Sequence, residues 1–106
     1  TIDDYAFDGC TSLEKIEMPS SVRTVGSSVF RGCSKLQQIS FTSLESIGSN
    51  AFNECKSLKE VNFSSTLNKI GENCFSGCSS LAKVKIPYAL NLKNIGIGPN
   101  VSITPI

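Results

Sequence analysis

Apolar and polar positions along this chain follow one pattern written four times. "YAFDGCTSLEKI" begins at Tyr5, "SVFRGCSKLQQI" at Ser28, "NAFNECKSLKEV" at Asn50 and "NCFSGCSSLAKV" at Asn73. The aromatic column Phe7, Phe30, Phe52 and Phe75 recurs at steps of 23, 22 and 23 residues. Self-similarity at that period marks an array of stacked repeats and outranks any local secondary-structure signal.

Each repeat divides into two predicted elements. In "LEKIEM" and its copies, apolar residues alternate with polar ones, the period of a strand with one buried face. The pattern predicts short strands over residues 14–18, 37–41, 59–63 and 82–86. The inward columns are Ile16, Ile39, Val61 and Val84, then Met18, Phe41, Phe63 and Ile86, with Leu13, Leu36, Leu58 and Leu81 just before them. Pro19 and Pro87, with Thr42 and Ser64 in the same column, end the strands, because proline has no amide to donate to a ladder.

Val22, Leu44, Leu67 and Leu92 then precede an Ile or Val by three residues, and Gly26, Gly48, Gly71 and Gly96 follow it. Asp3 occupies the glycine column of the first copy. Asp is among the few residues that tolerate positive φ, so a left-handed turn is predicted at this column. The column before Cys holds Gly9, Gly32, Glu54 and Gly77, and Glu54 argues against compulsory positive φ there. Asp4, Ser27, Ser49 and Glu72, followed by a small apolar residue and Phe, fit a capped single turn of α or 3₁₀ helix. The expected fold class is an α/β repeat, in which each coil of 22–25 residues has a strand on one side and a helical turn on the other.

One coil alone carries too few apolar side chains to offset the ordering of its own chain. Stacking buries both flanks of every coil and pairs strands edge to edge at roughly 4.8 Å, so four coils span on the order of 20 Å around one core.

The order LxxIxI then Pro, VxxIG and AFxxC, from about Ile2 to Gly96, resembles the BspA-type leucine-rich repeat. The resemblance implies a right-handed solenoid of strands and helical turns. It also implies a secreted or cell-surface protein that adheres to a partner such as a host matrix or cell-surface protein. Residues 1–97 are expected to form four coils and the start of a fifth. Residues 98–106 depart from the pattern, lacking both AFxxC and a strand motif, and are expected to be a cap or a truncated fifth coil. The stretch "YALNLKNIG" before them carries two extra residues. The chain opens at Thr1 within a repeat, as an excised or processed piece of a longer protein would.

Composition narrows the chemistry. A formal net charge of +1 offers no global field for nucleic acid or acidic membranes. The longest apolar runs fall far short of the roughly 20 residues that span a bilayer. There is no His, which removes the usual hydrolytic pairs and the commonest metal ligand, so no catalytic residue, metal or cofactor is expected. The five Cys leave one unpaired in any disulfide scheme. Cys10, Cys33, Cys55 and Cys78 form a ladder whose parallel Cβ vectors disfavour bridging. Cys74 stands in the column of Ala6, Val29 and Ala51, so all five are expected to be buried thiols.

The outward strand residues are Lys15 and Glu17, Gln38 and Ser40, Glu60 and Asn62, Lys83 and Lys85, with Glu14, Gln37 and Lys59 alongside. They tile one sheet face, which reads either as a solvated surface or as a site for a protein or glycan. "NFS" at Asn62 and "NVS" at Asn100 are N-glycosylation acceptors in a suitable host. Exposed apolar end coils also predict end-to-end self-association. A stiff spacer, or an accessory or inhibitory module attached to an enzyme, is the alternative role.

Overall fold

A computed structural model describes residues 1–87 and 89–106; Tyr88, which opens the stretch with two extra residues, lies outside the described residues. The chain winds as a β-solenoid of about four turns. Its strands are β1 (Thr24–Val25), β2 (Gln38–Ser40), β3 (Ser46–Ile47), β4 (Glu60–Asn62), β5 (Lys69–Ile70), β6 (Lys83–Ile86) and β7 (Ser102–Pro105). Two parallel sheets result, β2-β4-β6-β7 and β1-β3-β5. In the first, Gln38 pairs with Glu60 and Glu60 with Lys83, so the repeat columns are the strand registers.

Three of the four expected strands form, each slightly shorter than its expected span. The one over residues 14–18 shrinks to a single bridge, Lys15 to Gln38. Phe41 N–H donates to Asn62 O and Phe63 N–H to Lys85 O, both at 2.8 Å, but the equivalent bond from Met18 is absent among the described residues. The first coil is supported on one side only, and its strand peels away after Lys15.

The second sheet was not foreseen. Its strands are two residues long, too short for alternation to register, and only the inward column Val25, Ile47 and Ile70 marked them.

The helical turns are absent: no helix occurs among the described residues. Phe30 N–H donates to Ala51 O and Gly32 N–H to Asn53 O, both at 2.8 Å, across to the next coil. Arg31 N–H and Cys33 N–H instead close turns on Ser28 O and Phe30 O. A helix needs every amide for its own i→i−4 ladder, whereas here every second one serves the neighbouring coil. The segment is a string of tight turns, kinked left-handed at Tyr5, Ser28, Asn50 and Asn73 and again at Gly9, Gly32, Glu54 and Gly77.

The sequence expectation about positive φ is therefore reversed before Cys, and in the glycine column it holds only at Gly96, φ 82°. The column before Cys does require it, and Glu54 complies at φ 62°. Gly26, Gly48 and Gly71 are not left-handed; they are needed because a Cβ at Gly48 would lie 2.6 Å from the carbonyl carbon of Gly26. Asp3 fills the same column in the first coil, where this chain places no backbone against it. An L-residue held left-handed costs about 1–2 kcal/mol, while glycine's extra flexibility costs roughly 0.5–1 kcal/mol. Glu54→Gly is therefore expected to raise the urea midpoint slightly, the exposed Lys56–Glu54 contact at 3.9 Å contributing little. A clearly lower midpoint would show that the strain argument is wrong.

The interior is two queues of rings. Phe7, Phe30, Phe52 and Phe75 stack at centroid spacings of 5.5, 5.3 and 5.6 Å, within 4° of parallel. Phe41 and Phe63 stack at 5.6 Å and meet Phe52 and Phe75 edge-on. Parallel rings one coil apart follow from identical residues in register, and the edge contacts close the gap between the turn side and the strand side.

The C-terminal segment differs from the sequence reading in two respects. "SITP" does form a strand, β7, with Ile103 opposite Val84 and Pro105 opposite Ile86. Ile95 does not join the Val25, Ile47 and Ile70 column. Phe75 N–H donates to its carbonyl at 2.8 Å, as Phe30 and Phe52 do to Ala51 and Cys74, so Ile95 takes the small-residue column of the turn side. Asn73 and Phe75, two residues apart, bond to Asn94 and Ile95, which are adjacent. The last coil is thus one residue short at this point, and the Ile-Gly pair slips out of phase with Gly71.

Candidate functional site

The outward face of the longer sheet gathers the residues singled out from the sequence. Ile39, Val61 and Val84 point inward, so their neighbours on either side point out. Lys15, Gln38, Glu60, Lys83 and Ser102 form one register column, and Ser40, Asn62, Lys85 and Thr104 the next. Glu17 belongs to the second column by sequence phase, on the segment that peels away. Lys15, Glu17, Gln38, Ser40, Lys83 and Lys85 are exposed, while Glu60 and Asn62 are half-buried between their neighbours. Glu14, Gln37 and Lys59 flank the face and are exposed.

The centre of this face is held by its own hydrogen bonds. Asn62 Nδ2 donates to Glu60 Oε2 at 2.9 Å and to Ser40 Oγ at 3.2 Å. That amide is the acceptor atom of the first sequon, so its bonds compete with a glycan. Asn100 lies exposed in the turn before β7.

Two shallow hollows of about 440 Å³ flank these columns. One runs beside the peeled first coil and is lined by Lys15, Glu17, Gln38, Ser40 and Thr42. The other is lined by Thr42, Asn62, Ser64, Ser65 and Lys85 over Phe41 and Phe63, with Ile106 closing it. Sequence reasoning missed the hydroxyl residues here, having treated the Thr42 and Ser64 column only as a strand terminator. It missed Ser102 and Thr104 because β7 was missed.

The cysteine column has a structural explanation. The Sγ of Cys33, Cys55 and Cys78 donates to the carbonyls of Phe7, Phe30 and Phe52 in the preceding coil, at 3.2, 3.0 and 3.0 Å. The same carbonyls accept the amides of Cys10, Cys33 and Cys55 within their own turns. A thiol is small enough for the turn and supplies a donor that links it to the coil before. All five cysteines are free, and Cys10, in the first coil, is exposed, contrary to the expectation of five buried thiols.

Burial pushes the Cys33 thiol up from 9.0 to about 11 and Cys78 to about 12; Cys55 and Cys74 are likewise raised by burial. A thiol reagent in native buffer is expected to titrate Cys10 quickly and the other four only on unfolding. Four fast thiols would contradict the thiol packing. Because the folded pKa values are raised, their stabilising effect is complete below pH 9 and declines as pH rises through about 11. The urea midpoint should therefore fall between pH 8 and pH 11, and a flat profile would count against the burial.

Among the described residues no group of three or more His, Cys, Asp or Glu is placed to hold a metal ion. Nor is any helix among the described residues long and apolar enough to cross a membrane.

Coils of about 22 residues, sharing parallel ladders and an interior queue of Leu, Ile, Val and Phe, define a leucine-rich-repeat solenoid. The chain belongs to the BspA-type family: residues 1–99 match the family described as "BspA type Leucine rich repeat region (6 copies)". That family is usually non-catalytic and typical of surface proteins. The chain is similar to a leucine-rich repeat protein of Bacteroides ovatus, with 33% identity and a TM-score of 0.88. It is also similar to the T. pallidum leucine rich repeat protein TpLRR, with 27% identity and a TM-score of 0.63. Each match covers 98% of this chain, but only 27% of the first protein and 61% of the second. No curated protein matches the chain.

Proposed function

We propose that the chain is a non-catalytic binding module of a surface or secreted protein, engaging a partner protein through the outward face of β2, β4, β6 and β7. The observation that carries this reading is the register of that face. Polar side chains are held at strand spacing in two columns, of five and four residues, and Asn62, Glu60 and Ser40 are already tied together before any partner arrives. Preorganised side chains on a stiff scaffold lose little entropy on binding, which suits a surface without aromatic anchors. The charge on the face runs from Glu14 and Glu17 at the first coil to Lys83 and Lys85 at the fourth. A partner with its own charges arranged the opposite way fits it.

The test is the combined variant Lys15→Ala, Glu17→Ala, Glu60→Ala, Lys83→Ala and Lys85→Ala, assayed for adhesion to immobilised host-matrix and cell-surface proteins. These side chains are exposed or half-buried, so the fold should survive, as circular dichroism will check. Adhesion is expected to drop at least tenfold, which corresponds to about 1.4 kcal/mol. Unchanged adhesion by the folded variant would favour a spacer that presents some other domain. Retained binding to glycans alone would move the partner out of the protein class.

A further inference from the structure

On the outward face of the longer sheet, Lys83 and Lys85 stand two residues apart on β6, both exposed, with the buried Val84 between them. β6 lies between β4 and β7, so the pair sits within the sheet and belongs to no end coil. Among the described residues neither lysine is in an ion pair; the pairs formed are Arg23–Glu45, Arg31–Asp8 and Lys56–Glu54. Lys59, exposed at the flank, adds to the positive field.

The neighbours decide what kind of anion fits. On the β7 side, Ser102 and Thr104 stand opposite Lys83 and Lys85 and offer neutral, exposed hydroxyls. On the β4 side, Glu60 stands opposite Lys83 and Asn62 opposite Lys85. The Glu60 carboxylate is occupied, since its Oε2 accepts Asn62 Nδ2 at 2.9 Å. Together with Glu14 and Glu17 farther along the face, it keeps the positive field local and opposes a long polyanion laid across the coils. The room for negative charge is one strand wide.

Along that strand the spacing is fixed. Parallel strands rise about 3.3 Å per residue, which separates the Cα atoms of Lys83 and Lys85 by about 6.6 Å. An extended peptide shows the same repeat, because alternate side chains share a face. Carboxylates two residues apart in such a segment therefore reach both lysines at once, and carboxylates on adjacent residues do not. Past Lys85, Thr42, Ser64 and Ser65 line the hollow of about 440 Å³, so the segment runs on over hydroxyl groups.

We propose, on the basis of the binding role given to this face, that the partner protein lays an extended acidic segment along β6, with two Asp or Glu residues separated by one position seated on Lys83 and Lys85. Ser102 and Thr104 donate hydrogen bonds to the same carboxylates. Exposed ion pairs are individually weak and screened by salt, so the segment sets register and partner choice while the rest of the face adds contact.

The probe is the blocked peptide Ser-Thr-Asp-Thr-Asp-Thr-Ser, titrated into the isotope-labelled 106-residue chain and followed by NMR. Amide shifts are expected to concentrate on β6 and β7. The isomer Ser-Thr-Asp-Asp-Thr-Thr-Ser, of equal charge, should bind about threefold more weakly, because its carboxylates point to opposite faces. Lys83→Gln with Lys85→Gln should lower the affinity for the first peptide about tenfold. The comparison of the two peptides on the unmodified chain stands even if that variant fails to fold. Equal affinity for the isomers, or shifts away from β6, would overturn the proposal. So would binding of heparin without binding of the spaced peptide, which would assign the lysines to acidic glycans. Full adhesion by the folded Lys83→Gln, Lys85→Gln variant, with adhesion lost in the five-residue alanine variant, would overturn it while leaving the face as a binding surface. Full adhesion by both would remove the binding role as well.

Discussion

Replacing Phe52 by alanine is expected to destabilise the fold by about 3–5 kcal/mol, the range for emptying a well-packed aromatic site. Its ring is fully buried, stacks on Phe30 and Phe75 at 5.3 and 5.6 Å and takes the edge contact of Phe41 at 6.4 Å. A chain of this length has roughly 5–15 kcal/mol of stability in total, so this one change removes a large share. In a solenoid, stability is close to a sum over coils and their interfaces. A gap at the third coil therefore weakens its junctions with both neighbours. Urea denaturation should show a lower midpoint and a broadened or two-step transition as the flanking coils melt separately. Phe7→Ala provides the control, since Phe7 is only half-buried and stacks on Phe30 alone. Its cost should be well under half as large. Equal costs would contradict the argument that burial and stacking on both sides set the penalty.

The contrast between Phe52 and Phe7 also marks what the sequence made legible. Columns that face the interior are written as identity at a fixed period, because each coil sets the same steric and apolar demand on the next. The Phe, Leu and Ile/Val columns could therefore be placed, and with them the outward residues between. Lys15, Gln38, Glu60 and Lys83 share a column in the structure because Ile39, Val61 and Val84 do.

What escaped was information carried by the backbone. Whether Phe30 N–H bonds within its own coil or to Ala51 in the next decides between a helical turn and a string of kinks, and side-chain type hardly reports it. Glu54 at φ 62° misled for the same reason: the ladder across coils imposes a conformation that local preference opposes. β7 was missed because Pro105 fills a column held elsewhere by Met18, Phe41, Phe63 and Ile86, and proline reads as an end to a strand. At an outer edge, where one side of the strand needs no donor, that residue is tolerated.

The glycine columns separate two reasons for one residue type. Gly71→Ala is expected to cost about 3 kcal/mol or more, at the upper end of overpacking, because relief requires movement of backbone and not of a side chain. A Cβ there would lie 2.5 Å from Gly48 C and 2.6 Å from Ser49 Cα, both in the preceding coil. Parting those coils would also stretch Gly71 N–H from Ile47 O, now at 2.9 Å, and loosen the pairing of β3 with β5. Gly9→Ala meets no atom within 4 Å, and its only penalty is the left-handed φ of 73°, worth about 1–2 kcal/mol. The midpoint shift for Gly71→Ala should therefore be at least about twice that for Gly9→Ala. If instead Gly9→Ala proved the more damaging, the spacing between coils would be set by turn conformation alone. The explanation of Gly26, Gly48 and Gly71 as points of close backbone approach would then have to be abandoned.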